Sequence, residues 1–170
     1  GDGYVPGADW IEWGSGSSGW LYKYQMRGIQ SEISGGEVQM GYNGRAIDVT
    51  TDFSFVRGKD ISNNDHIAFM PPDKIGLLFS TKSNKHLTGS VRISKVLDQK
   101  NISEFETMTP GYLLIDLFGS YTFETERGTH RLVFQVNNLL DETYYNHLSK
   151  IKSIMPESGR SVSLQYRILL

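Results

Sequence analysis

Apolar and polar residues alternate one by one along most of this chain. In GYLLIDLFGSYTF, from Gly111 to Phe123, one column reads Leu113, Ile115, Leu117, Gly119, Tyr121 and Phe123, and the other Leu114, Asp116, Phe118, Ser120 and Thr122. A period of two marks a β-strand with one face in an apolar medium. AIDVTTDFSFVRG repeats the pattern, with Ile47, Val49, Thr51, Phe53 and Phe55 against Asp48, Thr50, Asp52 and Ser54. So do HLTGSVRISKV, HRLVFQVNN and RSVSLQYRILL, whose polar columns hold Arg92, Arg131, Gln135 and Gln165. Between Trp20 and Tyr42, Tyr22, Tyr24 and Met26 and then Val38, Met40 and Tyr42 share a face, and Gly35-Gly36 between them is the expected site of a bulge or bend. With KIGLLFSTK the count reaches about seven strands, and no helix is predicted.

The connections alternate in length. Tight turns are predicted at 43–45, where Asn43-Gly44 is a hairpin signal, and at 82–85 and 124–129. Long loops are predicted at 58–70, 99–110 and 140–159, and Pro6, Pro71, Pro72, Pro110 and Pro156 all fall in the first loop or in these long connections. Many strand candidates run to about ten residues, against about five or six in globular domains. Long strands with tight turns at one end and long loops at the other are the pattern of an outer-membrane barrel.

A soluble barrel would turn the polar column to water, whereas a membrane barrel turns it inward. The polar column here is mostly Ser, Thr, Gln, Asn and Gly, punctuated by Asp48, Asp52, Arg92, Asp116 and Arg131, while the lysines gather near loops and turns. That composition suits a wet, confined lumen. Tyr42, Phe79, Tyr121 and Phe123 lie beside the short turns and Tyr22, Tyr24 and Tyr112 toward the long loops, as two interfacial girdles would require. If the strands at 86–98 and 111–123 pair, Arg92 and Asp116 come close on the lumen face, as an ion pair in the wall.

Composition narrows the chemistry. With 17 basic against 19 acidic residues in 170, no nucleic-acid partner is expected. There is no cysteine, hence no thiolate metal site, and no apolar run is long enough for a membrane-spanning helix. The opening GDGYVPGADW has neither the basic nor the apolar region of a signal peptide, which points to a cytosolic protein or to a piece of something longer. His66, His86, His130 and His147 are scattered without metal-ligand spacing, and DISNNDH lacks the closing Glu of a calcium loop, so no metal is expected and that stretch reads as a solvated loop. No nucleophile, zinc or phosphate-loop motif is visible; neither a catalytic residue nor a cofactor is assigned, and the chain is not read as an enzyme.

VNNLLDETYYNHLSKIK and PESGRSVSLQYRI, with Asn138, Leu139, Leu140, Asp141, Tyr144, Tyr145, Gly159 and Arg160, resemble the C-terminal end of TonB-dependent outer-membrane receptors. FETMTPGYLLIDLFGSYTF, FMPPDKIGLLF and GGEVQMGY are similar to strand entries of that family, in family order from about Gly19 onward. The ending Ile168-Leu169-Leu170 departs from the aromatic terminus usual there. The resemblance implies an all-β fold, an antiparallel meander of long strands forming about seven of the 22 in such a transmembrane barrel, open when isolated. Residues 1–19 are read as a loop-like N-terminal segment and 20–170 as the C-terminal part of the barrel, without the plug domain. The implied function is uptake of iron chelates such as siderophores, or of another scarce nutrient, in the outer membrane of a Gram-negative bacterium. The implied partners are outer-membrane lipid, the rest of the barrel and its plug, the TonB complex through that plug, and a small-molecule metal chelate. Asp48, Asp52, Arg92, Asp116, Arg131 and Gln135 are the lumen-facing candidates. The alternation by itself also allows a self-contained small barrel or sandwich that binds a ligand or a protein partner.

Overall fold

The computed structural model describes residues 10–12, 20–22, 28–82, 86–104 and 106–170, the first two segments by backbone alone. Its elements are β1 (Trp10–Glu12), β2 (Trp20–Tyr22), β3 (Ser31–Asn43), β4 (Ile47–Asp60), β5 (Asp65–His66), β6 (Lys74–Thr81), β7 (Leu87–Val96), β8 (Tyr112–Thr125), β9 (Gly128–Asn137) and β10 (Ser161–Leu169). There is no helix among the described residues. β1 pairs with β2. The opening segment expected to be loop therefore holds one short strand, at the aromatic and β-branched Trp10-Ile11 that favour extended backbone. The face expected of Tyr22, Tyr24 and Met26, and the residues of the predicted turn at 83–85, lie outside what is described.

The other strands form one antiparallel sheet in the order β10-β9-β8-β7-β6-β4-β3, with β5 on the end of β4. Neighbours in sequence are neighbours in space, as short hairpins dictate. Connections 44–46 and 126–127 and the step from β6 to β7 lie at one end of the sheet, and 61–73, 138–160 and the step from β7 to β8 at the other. The predicted bulge at Gly35-Gly36 is absent. Pairing runs unbroken through Gly35↔Val56 and Gly36↔Phe55. The Phe55 ring covers Gly36 instead, close enough that a Cβ there would lie 3.1 Å from it.

Register puts the alternation to work. Tyr42, Val49, Phe79, Val91, Leu117, Val136 and Val162 form one row across all seven long strands. The adjacent row is Asn43, Asp48, Ser80, Ser90, Phe118, Gln135 and Ser163, so a shift of one residue exchanges the two faces. Phe118 is the single apolar member of the second row.

Burial is inverted relative to a water-soluble sheet. Ser94 and Ser120 of the polar face are 6% and 5% exposed, whereas Ile75, Tyr121 and Phe134 of the apolar face are 42%, 47% and 44% exposed. Val96 and Val136 are the only buried apolar residues among those described. The described residues bury too little apolar area to offset their chain entropy in water. The apolar face needs an apolar surrounding. Nor does the sheet close: β3 and β10 stand at its two ends, unpaired on their outer sides among the described residues.

Two outcomes follow from this arrangement. With a bilayer covering the apolar face, Ile115→Arg in the middle of that face is expected to lower stability by about 2–4 kcal/mol. The alternation offers Ser120 as a tolerant control, but Ser120 is buried between Thr88 and Arg131, so the control is Gln135→Arg on the exposed polar row, expected to cost well under half as much. Equal losses in equilibrium unfolding contradict the facing. The 170-residue chain alone in detergent is expected to associate through β3 and β10, because open edges invite pairing. A monodisperse monomer by light scattering excludes that.

Candidate functional site

The polar face carries the charges that the sequence singles out. Arg92 and Asp116 are direct cross-strand partners, as the pattern predicts. The ion pair nonetheless forms elsewhere, with Arg92 Nη1 3.9 Å from Asp52 Oδ1. The reason is Gly76, which stands opposite Asp52 on β6. A Cβ at Gly76 would lie 2.3 Å from Asp52 Oδ1, so only glycine leaves the carboxylate room to lean across β6 toward β7. Asp116 turns instead to the strand end, where its Oδ1 accepts the Asn138 amide at 2.9 Å.

The remaining candidates are spread over the same face. Asp48 meets Lys82 at 3.7 Å beside a short turn. Arg131 donates to Ser120 Oγ at 3.4 Å, and Ser120 shares a 2.7 Å hydrogen bond with Thr88. Gln135 donates to Asn137, which donates to Ser161. These groups line one wall without converging on a point. At 3.7–3.9 Å and partly exposed, the ion pairs are worth about 0–1 kcal/mol each. Their chemistry is to keep a polar surface wet and charged.

The motifs that carry the family resemblance fold into anchors at the long-loop end. Asn138 adopts a left-handed backbone (φ 51°) that ends β9, and its side chain exchanges two hydrogen bonds with the Glu142 backbone, both 2.9 Å. Asp141, also left-handed, accepts the Arg160 amide at 2.8 Å and so ties the start of β10 to the end of β9. Before β6, Arg57 grips Asp73 through two bonds of 2.5 and 2.6 Å, which hold the Asp73 carboxyl below its ordinary pKa. Before β8, the Gly111 amide on Asp98, with Lys100 beside it, does the same to Asp98. The stretch read as a solvated loop is structured: Asp60 caps its turn by accepting the Ser62 and Asn63 amides, and Asp65–His66 pairs back onto β4 as β5.

A second cluster lies where the three long loops meet. His147 is 1% exposed; its Nε2 is 2.9 Å from Glu106 Oε1, and its Nδ1 lies 2.8 Å from Thr109 Oγ1 and 3.1 Å from Lys152 Nζ. Lys152 also donates to the Thr107 carbonyl at 3.0 Å. The Phe69 amide donates to the same Glu106 Oε1 at 3.1 Å, and Phe69 holds a positive φ of 59°. That conformation is uncommon for a bulky residue. Burial, with Lys152 beside it, pushes the His147 pKa down, against the opposing pull of Glu106. No spacing rule reveals this cluster, because Glu106 and His147 come from different loops.

On the apolar face, near the short turns, the rings of Tyr121, Phe123, His130 and Tyr166 stack in succession at 5.8, 4.8 and 5.9 Å. Tyr121 and Phe123 belong to the band that the sequence predicts beside the short turns, whereas His130 and Tyr166 do not. Each ring has an apolar body, and His130 and Tyr166 join their polar edges in a 2.5 Å hydrogen bond.

No family model matches the chain. Heme/hemopexin utilization protein C of Haemophilus influenzae is 25% identical over 147 residues, 84% of this chain and 20% of that protein. The protein of the same name from strain ATCC 51907 / DSM 11121 / KW20 / Rd is 25% identical over 138 residues, 79% of this chain and 18% of its own. The chain thus spans 20% or less of the length of these curated relatives. Among solved structures, the copper transporter OprC superposes with a TM-score of 0.70 at 20% identity, over 82% of this chain and 24% of that one. At that identity the match speaks for the fold alone. An open meander with its apolar face outward and the match to the copper transporter agree on the fold, a portion of an antiparallel β-barrel, and the strand-end motifs and sequence matches make the chain similar to receptors of the TonB-dependent type.

Proposed function

We propose that this chain forms part of the wall and the outer loops of a TonB-dependent outer-membrane importer of iron chelates or of another scarce nutrient. The observation that carries this reading is the inverted burial, with Ser94 and Ser120 of the polar face buried while Ile75, Tyr121 and Phe134 of the apolar face are exposed. Such a sheet is stable where hydrocarbon covers one side and water wets the other. Residues 20–170 belong to the barrel and 1–19 precede it, while the plug that engages the TonB complex comes from the receptor's remaining sequence. Asp48, Asp52, Arg92, Asp116, Arg131 and Gln135 then face the lumen. Their spread along a wall suits guidance of a charged chelate better than its capture at one point. The name of the sequence relatives favours heme, an iron chelate, as substrate, since the copper transporter is matched at the level of fold. The self-contained small barrel is disfavoured by the two open edges.

Transport of this kind breaks no bond in the ligand and calls for no catalytic group. In a Gram-negative bacterium carrying the complete receptor, the protein is expected in detergent-extracted outer membranes. Its deletion is expected to abolish growth on heme as sole iron source, and removal of TonB to have the same effect. Recovery in clear cytosol overturns the membrane assignment. Unchanged growth on heme with impaired growth on another chelate reassigns the substrate and leaves the membrane assignment in place.

A further inference from the structure

We propose that Glu106, His147 and Lys152 form an acid-sensitive latch that holds the three long loops together as one unit and keeps Phe69 presented at their surface. This goes beyond the transport reading and depends on that reading only for its setting.

The argument starts from hydrogen-bond polarity. His147 Nε2 lies 2.9 Å from the Glu106 carboxylate, close enough for attraction though out of line for a hydrogen bond, so the ring's tautomer is set at Nδ1. Nδ1 faces the Thr109 hydroxyl at 2.8 Å and the Lys152 ammonium at 3.1 Å, both able to donate, so it must offer a lone pair. The geometry is that of a neutral imidazole. A second proton on Nδ1 would point an N–H at an ammonium 3.1 Å away in a buried site. Two cations at that separation repel strongly where water is excluded.

Against that repulsion stands the Glu106 carboxylate, which also serves Lys152 and the Phe69 amide, so its pull on the ring is shared. Glu106 and Thr109 come from the loop 97–111, and Lys152 from its own loop, while Pro72, Tyr112 and Tyr145 supply neutral walls. From the loop 61–73 comes the Phe69 amide on Glu106. One carboxylate therefore binds two other loops, and its bond to Phe69 helps to hold a left-handed backbone that a bulky residue disfavours. The Phe69 side chain is half exposed. When His147 takes its second proton, Lys152 must leave, its bond to the Thr107 carbonyl breaks, and the loops part.

The sign follows from linkage. His147 in the closed state holds its proton less tightly than an ordinary imidazole of pKa 6.5, so opening takes up a proton. The latch is at full strength above that value and weakens as pH falls below it.

The test is hydrogen exchange, read by mass spectrometry, on the complete receptor in detergent at pH 7.5 and pH 5.0, each corrected for intrinsic exchange. Loops 61–73, 97–111 and 138–160 are expected to lose protection together at the lower pH, by about tenfold or more, while strands β6 to β9 stay protected. His147→Gln, which cannot take the second proton, is expected to keep the same protection at both values. Glu106→Gln is expected to loosen the loops already at pH 7.5. Protection that does not change with pH in the unaltered receptor overturns the latch without recourse to any variant. An equal acid response in His147→Gln overturns the assignment to His147. Loss of heme uptake with the latch intact, or the converse, separates this proposal from the transport reading.

Discussion

Backbone hydrogen bonding is the constraint on which everything else in this molecule depends. A strand that crosses hydrocarbon has no water to satisfy its amides and carbonyls, so each must find a partner in a neighbouring strand. The meander supplies those partners in sequence order, through short turns at one end and long loops at the other. Pairing in turn sets register, and register sorts side chains so that Val49, Phe79, Val91 and Leu117 fall on one face and Asp48, Ser80 and Ser90 on the other. Among the described residues, β3 and β10 each leave a row of backbone groups without a neighbouring strand.

The two faces do different work. The apolar face is loosely packed, and in the proposed membrane setting lipid fills the gaps that its side chains leave. The polar face must keep its charges hydrated or paired, and it does so with loose, partly exposed pairs such as Asp52–Arg92. Precision is concentrated at the long-loop end. There the bidentate Arg57–Asp73 pair, the Asn138 and Asp141 anchors and the buried Glu106–His147–Lys152 cluster fix the loops to the strands and to one another. The strands form a tolerant wall, and the loops carry the specific structure.

Much of the wall was legible in the chain. A period of two is a local property, so Ile115 and Asp116 declare opposite faces without knowledge of any partner. The turn residues Asn43-Gly44 and the placement of Pro71, Pro72 and Pro110 declare where strands stop. Contacts between strands were less legible. Arg92 and Asp116 were rightly placed side by side, yet Arg92 pairs with Asp52, because a missing side chain at Gly76 opens a longer reach. Gly35-Gly36, which reads as a break, is a continuous stretch roofed by Phe55.

The sequence by itself determined the strands, their alternating faces and the order of short and long connections, because each depends on near neighbours along the chain. The tertiary structure alone decided which charges pair and which loops lock. His147, Glu106 and Lys152 looked like isolated polar residues in polar loops, and only folding brings them within 2.9 to 3.7 Å of one another. The physical reason is range. Periodicity is written into every few residues, whereas a buried polar cluster depends on where distant loops end up once the strands beneath them are in register.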